Sequence, residues 1–184
     1  VLGREGDRLK QHVAVKELTV VDDPTQSEWT SPAGMKLPLF GGYPVDDDGV
    51  LPRPITLVDK GVLKTFYTSR VPTRRVKATN GHARGSSASS GNVFVSTAQP
   101  QSLKQLNAKL VELAKEEDVE YGLMVSRLPR GFERPANTSL QLPNLPLLVY
   151  RVYADGREEL VRGYGFKPTS FRVLKEIVGM GDDP

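Results

Sequence analysis

The residues of this 184-residue chain that could do chemistry are few, and most lie between positions 46 and 90. Asp46, Asp47 and Asp48 run directly into Gly49. Adjacent carboxylates offer the hard oxygen ligands that hold calcium or magnesium. The run lacks the alternating ligands and terminal Glu of an EF-hand loop, so a turn closed by Asx-type bonds to the backbone is the better reading. Further on, Thr79-Asn-Gly-His-Ala-Arg84 brings an amide, an imidazole and a guanidinium close together. A guanidinium takes a carboxylate through two parallel hydrogen bonds, and small residues let a backbone approach a ligand closely. Asn80, His82 and Arg84, with Arg75 from the basic stretch before them, are the candidate binding residues. The plainer alternative makes His82 an exposed loop histidine in a flexible linker. Ser86, Ser87, Ser89 and Ser90 follow, but no Gly-x-Ser-x-Gly frame surrounds them, so serine hydrolysis is not expected. His12 reads as a structural histidine opening a strand.

The composition excludes other chemistries. There is no cysteine, hence no disulfide, thiolate ligand or cysteine nucleophile. The two histidines, His12 and His82, are too far apart in sequence to suggest a histidine-rich zinc site built from this chain alone. No apolar run approaches the roughly 18 residues of a transmembrane helix. The start has neither the basic nor the apolar region of a signal peptide; with Val in first place, the chain reads as a processed product or fragment.

Charge is unevenly distributed. Residues 1–59 hold 10 acids and 6 bases, residues 60–111 hold 9 bases and no acid, and residues 112–184 hold 12 acids and 10 bases. The acid-free stretch, densest at Arg70, Arg74, Arg75, Lys77 and Arg84, could face an anion. It could equally be balanced after folding by Asp46, Asp47 and Asp48. A nucleic-acid partner is not expected, because Phe66 and Tyr67 sit in a strand-like run and read as packing residues rather than stacking platforms.

The elements that must position these groups are mostly strands. His12 to Val21 reads as a strand stopped by Asp22-Asp23-Pro24. Residues 24–54, with six prolines and four glycines, read as a long loop. Residues 55–67 read as a hairpin about Asp59-Lys60-Gly61. Residues 79–92 read as a flexible small-residue loop, and Asn92 to Ser96 as a short strand. Ser102-Leu-Lys-Gln105 matches a capping box, and Leu103, Leu106, Leu110 and Leu113 form one apolar stripe, which predicts a helix over 102–117. Val119 to Leu128 reads as a strand and 129–146 as irregular. Residues 147–163 form the strongest hairpin signal, because Asp155-Gly156 suits a type I′ turn. A short helix is expected within 169–178. The sum is an α+β domain over residues 1–184: seven or eight strands, mostly antiparallel, with one packed helix and loops near 24–54, 79–92 and 129–146.

Several blocks, in order, carry a resemblance. They are Leu18-Thr-Val-Val-Asp-Asp-Pro-Thr25, Val45-Asp-Asp-Asp-Gly-Val50 with the strand at 55–58, Lys60-Gly-Val-Leu-Lys64 with Tyr67 and Arg70 beyond, and Thr79-Asn-Gly-His-Ala-Arg84. Together they resemble the C-terminal part of the TldD/PmbA family, first described as modulators of DNA gyrase and understood as peptidases and peptide-maturation proteins. The likeness is good to about residue 95; beyond that, Tyr121-Gly-Leu-Met-Val125 and the Asp155-Gly156 hairpin fit more loosely.

The resemblance implies a cytoplasmic, oligomeric protein related to zinc peptidases. In the active branch a His-Glu-x-x-x-His helix, expected just upstream of this span, supplies two zinc ligands and the general base, and a Cys supplies a further ligand. Neither the motif nor any Cys occurs here. The chain is therefore expected to be a domain of a non-metal subunit or a fragment without the catalytic helix. It would be inactive alone and would help to form a peptide cleft, with zinc in the full-length protein or a TldD-like partner. The partners implied are a peptide or protein substrate and a homo- or hetero-oligomer. The loops at Asp46–Gly49 and at Asn80, His82 and Arg84 would lie at the cleft's edge. The alternative is a stand-alone module that uses the basic 60–111 surface to contact an anionic partner.

Overall fold

The computed structural model describes residues 8–31, 34–71, 73, 75–127, 148–167 and 170–182. The chain falls into two compact units, Val1–Ala98 and Gln99–Pro184.

The first unit is built on a four-stranded antiparallel sheet. Its strands are β1 (Leu18–Asp22), β4 (Ile55–Asp59), β5 (Val62–Leu63) and β8 (Val93–Thr97), in the order β5-β4-β1-β8. The β4–β5 turn is the expected hairpin. Lys60 and Gly61 there take positive φ angles of 48° and 76°. A Cβ on Gly61 would come within 2.5 Å of the Ala14 carbonyl oxygen. This close approach explains a correction at the N-terminal side. Val13 and Ala14 donate to the Gly61 carbonyl, so residues 12–15 pack on that turn instead of extending β1, and His12 makes only an isolated bridge to Val62. Strand β5 also stops at Leu63, short of Tyr67. The Phe66 carbonyl and the Thr68 amide hydrogen-bond to the Asn80 side chain, which diverts them from a sheet ladder.

Two segments read as loops contain paired strands. Within 24–54, β2 (Glu28–Thr30) and β3 (Lys36–Pro38) form a small antiparallel ladder. Within 79–92, β6 (Ala83–Arg84) pairs with β7 (Ser87–Ala88), and residues 80–83 are buried rather than exposed. Such two- and three-residue pairings carry no periodic signal. They raise the strand number among the described residues to thirteen, above the seven or eight expected.

The second unit is more regular. Helix α1 (Leu103–Glu116) starts at Ser102 with both halves of the capping box formed. It packs on the antiparallel sheet of β10 (Tyr121–Arg127), β11 (Leu148–Tyr153) and β12 (Glu158–Val161). Gly122 permits that contact, because a Cβ there would come 2.5 Å from Leu110 Cγ. Strand β9 (Pro100–Gln101) pairs in parallel with β13 (Met180–Gly181). The expected C-terminal helix is a 3-10 turn, Phe171–Lys175. Thr169, Leu147 and the irregular stretch 129–146 lie outside the described residues. The architecture is α+β and mostly antiparallel, as the pattern of elements predicts.

Candidate functional site

The site is assembled from loops that polar side chains tie together. Asp46 is buried, and its carboxylate accepts the amides of Asp48 (3.0 Å), Val50 (2.8 Å) and Ala83 (3.0 Å). Burial alone would raise its pKa; these three bonds and the nearby Arg70 charge outweigh that and hold it below the ordinary value. The first two bonds are the expected Asx-type turn, closed by Gly49 at φ 75°. The third ties the turn to β6. Asp48 accepts the Arg70 amide at 2.7 Å, and Asp47 accepts the Gly85 amide. The acidic run is therefore a staple between loops. Among the described residues no three His, Cys, Asp or Glu side chains come together as metal ligands.

Asn80 and His82 hold the other side of the 79–84 segment. The Asn80 side chain accepts the Thr68 amide at 2.9 Å and donates to the Phe66 carbonyl at 2.8 Å. His82 is fully buried, which corrects its reading as an exposed loop residue. The cause is local: Gly81, at φ 74°, passes so close to Leu51 and Pro52 that no side chain would fit, and this turns His82 inward. Its Nδ1 lies 3.0 Å from the Asn80 carbonyl oxygen, which makes Nδ1 the donor in that bond. Its Nε2 has no hydrogen-bond partner and faces Asp22 Oδ1 at 3.5 Å. Asp22, also fully buried, accepts the Gly91 amide. Tyr67 stands beside His82 at 5.3 Å between ring centroids. Burial first, then the Asp22 charge and hydrogen bond, push the Tyr67 phenol well above its ordinary pKa.

Arg84 is the candidate that remains available. Its guanidinium lies 3.9 Å above the centre of the Tyr43 ring and 3.7 Å from Asp47. Its side chain is 39% exposed, and its guanidinium makes no hydrogen bond among the described residues. Tyr43 donates to the Gly81 carbonyl at 3.0 Å and lines an open cavity of about 550 Å³. One wall of that cavity is residues 24–27. The other is Leu39 and residues 42–44, with Leu51 and Pro52 beside them. The walls are joined by Tyr43 N to Pro24 O at 3.0 Å and Leu39 N to Ser27 O at 2.9 Å. Gly42 permits this closeness, because a Cβ there would come within 2.7 Å of the Gln26 carbonyl oxygen.

The structure thus joins Asp46, Asp47, Asp48, Arg84 and the Asn80–His82 corner in one unit. Arg75 is exposed, and Arg74 lies outside the described residues. Sequence reasoning missed Tyr43, Asp22 and Asn92. Asn92 is buried, accepts the Gly41 amide and donates to the Gln26 carbonyl. Only Asp22 carried a local signal, and it was that of a turn.

A model of the PmbA/TldA metallopeptidase C-terminal domain matches residues 4–184. A metalloprotease of Archaeoglobus fulgidus is 38% identical over 77 residues, 42% of this chain and 16% of that protein. A metalloprotease of Methanocaldococcus jannaschii is 33% identical over 82 residues, 43% of this chain and 16% of that protein. Among solved structures, a candidate modulator of a DNA gyrase from Thermotoga maritima superposes with a TM-score of 0.63 at 20% identity, over 95% of this chain and 36% of that one. TldE from Thermococcus kodakarensis superposes at 0.59 and 16% identity, also over 95% and 36%. These structures share the fold, and the match spans about a sixth of the curated relatives' length. With the family model spanning nearly the whole chain, the conclusion is direct: the chain belongs to the PmbA/TldA metallopeptidase family, as its C-terminal domain.

Proposed function

We propose that this domain forms the peptide-facing, metal-free wall of a TldD/PmbA-type peptidase, with Arg84 as its contact for a substrate carboxylate. The observation that carries the reading is the state of Arg84. Its guanidinium carbon lies over the Tyr43 ring at 3.9 Å from the ring centre, its side chain is partly exposed, and it donates no hydrogen bond among the described residues. The ring contact holds the guanidinium in place in advance, so less ordering remains when a carboxylate docks. Asn80 and His82 act behind it by positioning the 79–84 segment. Asp46, Asp47 and Gly49 fix the neighbouring turn.

The family implies zinc, but the donor set of the described residues does not fit it. In this reading the catalytic metal belongs to another part of the full-length protein or to a TldD-like partner subunit in a cytoplasmic homo- or hetero-oligomer. Within the described residues no helix is long and apolar enough to cross a membrane. An extended substrate could also pair with an exposed strand edge. The alternative, a module binding anions through the whole 60–111 surface, has less support. Lys64 pairs with Asp59 at 3.3 Å, and Arg70 lies close to Asp46.

The test is binding of an unfolded, carboxylate-bearing peptide to the 184-residue chain and to Arg84→Ala. The variant should bind roughly ten- to hundredfold more weakly, the scale of one charged hydrogen bond, with its melting temperature little changed. Arg84→Lys should fall between, since it keeps charge but loses the fork. Equal binding by all three proteins refutes the reading.

A further inference from the structure

We infer that the cavity beside Arg84 is a subsite for one large apolar side chain, so that the domain recognises a carboxylate and an apolar residue close together on one peptide. The inference rests on the reading of Arg84 above and adds the substrate class.

The cavity of about 550 Å³ falls in the range of small-ligand sites. None of its lining residues carries a charge. Its polar groups are largely engaged elsewhere. Thr25 Oγ1 and Gln26 Nε2 both donate to Asp23, at 2.6 and 2.9 Å, and Tyr43 Oη donates to the Gly81 carbonyl. What the walls offer an occupant is chiefly the carbon surface of Leu39, Pro44, Leu51 and Pro52. A charged side chain placed there would lose water and gain no counter-ion. An apolar one would lose only its contact with water. At the rim, Leu51 is 74% exposed, and Phe40, between the lining residues Leu39 and Gly42, is 92% exposed.

Charge complementarity fixes the rest of the occupant. Tyr43 both lines the cavity and carries the Arg84 guanidinium on its ring. A ligand filling the cavity therefore lies against the residue whose ring carries that cation. The matching ligand is an uncharged peptide segment with Leu, Met or Phe in the cavity and a carboxylate on Arg84. That carboxylate could be the chain end or a Glu side chain.

Four short peptides separate these sources: one ending in Leu with a free carboxylate, the same ending in Ala, the Leu peptide amidated, and an amidated peptide with Glu following Leu. Binding to the 184-residue chain is read by calorimetry and by fluorescence of Trp29, the one tryptophan, which lies in β2. The Leu peptide should bind roughly tenfold or more tightly than the Ala peptide, from the methyl carbons it buries. Leu51→Asp, at an exposed position that the fold tolerates, should reduce this preference to less than about twofold. Loss of binding on amidation assigns the carboxylate to the chain end. Retention by the Glu peptide alone among the amidated pair assigns it to a side chain. Equal binding of Leu and Ala peptides, with Arg84→Ala still weakening both, overturns the subsite and leaves the reading of Arg84 intact. Failure of every peptide to bind overturns both.

Discussion

The two units are held together by different means. In the first, the buried residues include Asp22, Asp23, Asp46, Thr68, Asn80, His82 and Asn92, and most of these bind backbone groups of distant loops. In the second, the buried residues among those described are Ala114, Val149, Val152 and Tyr153, with Gly122 set beneath Leu110. Its polar contacts lie nearer the surface, as where Arg151 donates to Tyr164 and Tyr153 donates to Glu159. A helix on a hairpin sheet satisfies its own backbone, so apolar packing suffices. Irregular loops leave backbone amides unpaired, and buried carboxylates and carboxamides must answer them. The unit that carries the candidate site is the one built from side-chain-to-backbone bonds, and loops so held can present a group such as Arg84 without a regular element beneath it.

The sharpest way to break this contrast is at Asp46. Asp46→Ala removes the acceptor for three amides and should cost the first unit about 2–4 kcal/mol. Asp46→Asn keeps one oxygen and should cost less. Hydrogen exchange by segment would show the loss at Val50 and Ala83 while α1 stays protected; an equal loss in both units contradicts the contrast.

Acid should separate the units next. Asp23 is held below the ordinary aspartate value of 3.8: burial opposes this, but hydrogen bonds from Thr25 and Gln26 prevail. Asp46 is depressed in the same way. A depressed folded pKa contributes stability above the unfolded value and loses it as pH falls through the folded one. Protection in the first unit should therefore fall first, as the pH drops below the ordinary aspartate value of 3.8. In the second, Glu159 is lowered chiefly by the Tyr153 hydroxyl, but its side chain is 45% exposed and solvent screens the effect.

Overpacking probes the second unit. Gly122→Ala would drive a methyl into Leu110 and should cost about 1–3 kcal/mol, read as a lower melting temperature for α1 and its sheet. The smallest effect is at the helix start. Ser102→Ala removes one half of the capping box and should cost about 1 kcal/mol, with fraying confined to the first turn.

The same contrast decided what could be read from the sequence. Ser102 with Gln105, the leucine stripe and Asp155-Gly156 are signals within a few residues, and α1 and the β11–β12 hairpin stand where they point, although only Gly156 of that pair takes a positive φ, so the turn is not the expected type I′. The four family blocks in the first unit were legible as a pattern, and so was the Asx turn at Asp46. The bonds that place them were not: Asp46 reaches Ala83 across 37 residues, and Asp22 reaches Gly91 across 69. No local pattern encodes that a loop rich in Ser and Gly will be buried at His82, or that Tyr43 will lie beneath Arg84.

The corner at Asn80 and Gly81 has a bearing on how long the molecule lasts. In an open chain, an asparagine followed by glycine ages readily, because the glycine nitrogen attacks the side-chain amide carbon, forms a cyclic imide and releases ammonia. Here the Asn80 amide is held at both ends, by Phe66 and Thr68, and the Gly81 nitrogen is turned to the Thr79 hydroxyl at 3.2 Å. The attack cannot occur while the corner is closed. Each opening exposes the pair, and a carboxylate formed at position 80 could no longer donate to the Phe66 carbonyl, so reclosing would be weaker than before. Covalent ageing at this one bond therefore records the time the segment spends open, and it makes the integrity of the Arg84 support a property that declines with the molecule's history rather than one fixed at synthesis.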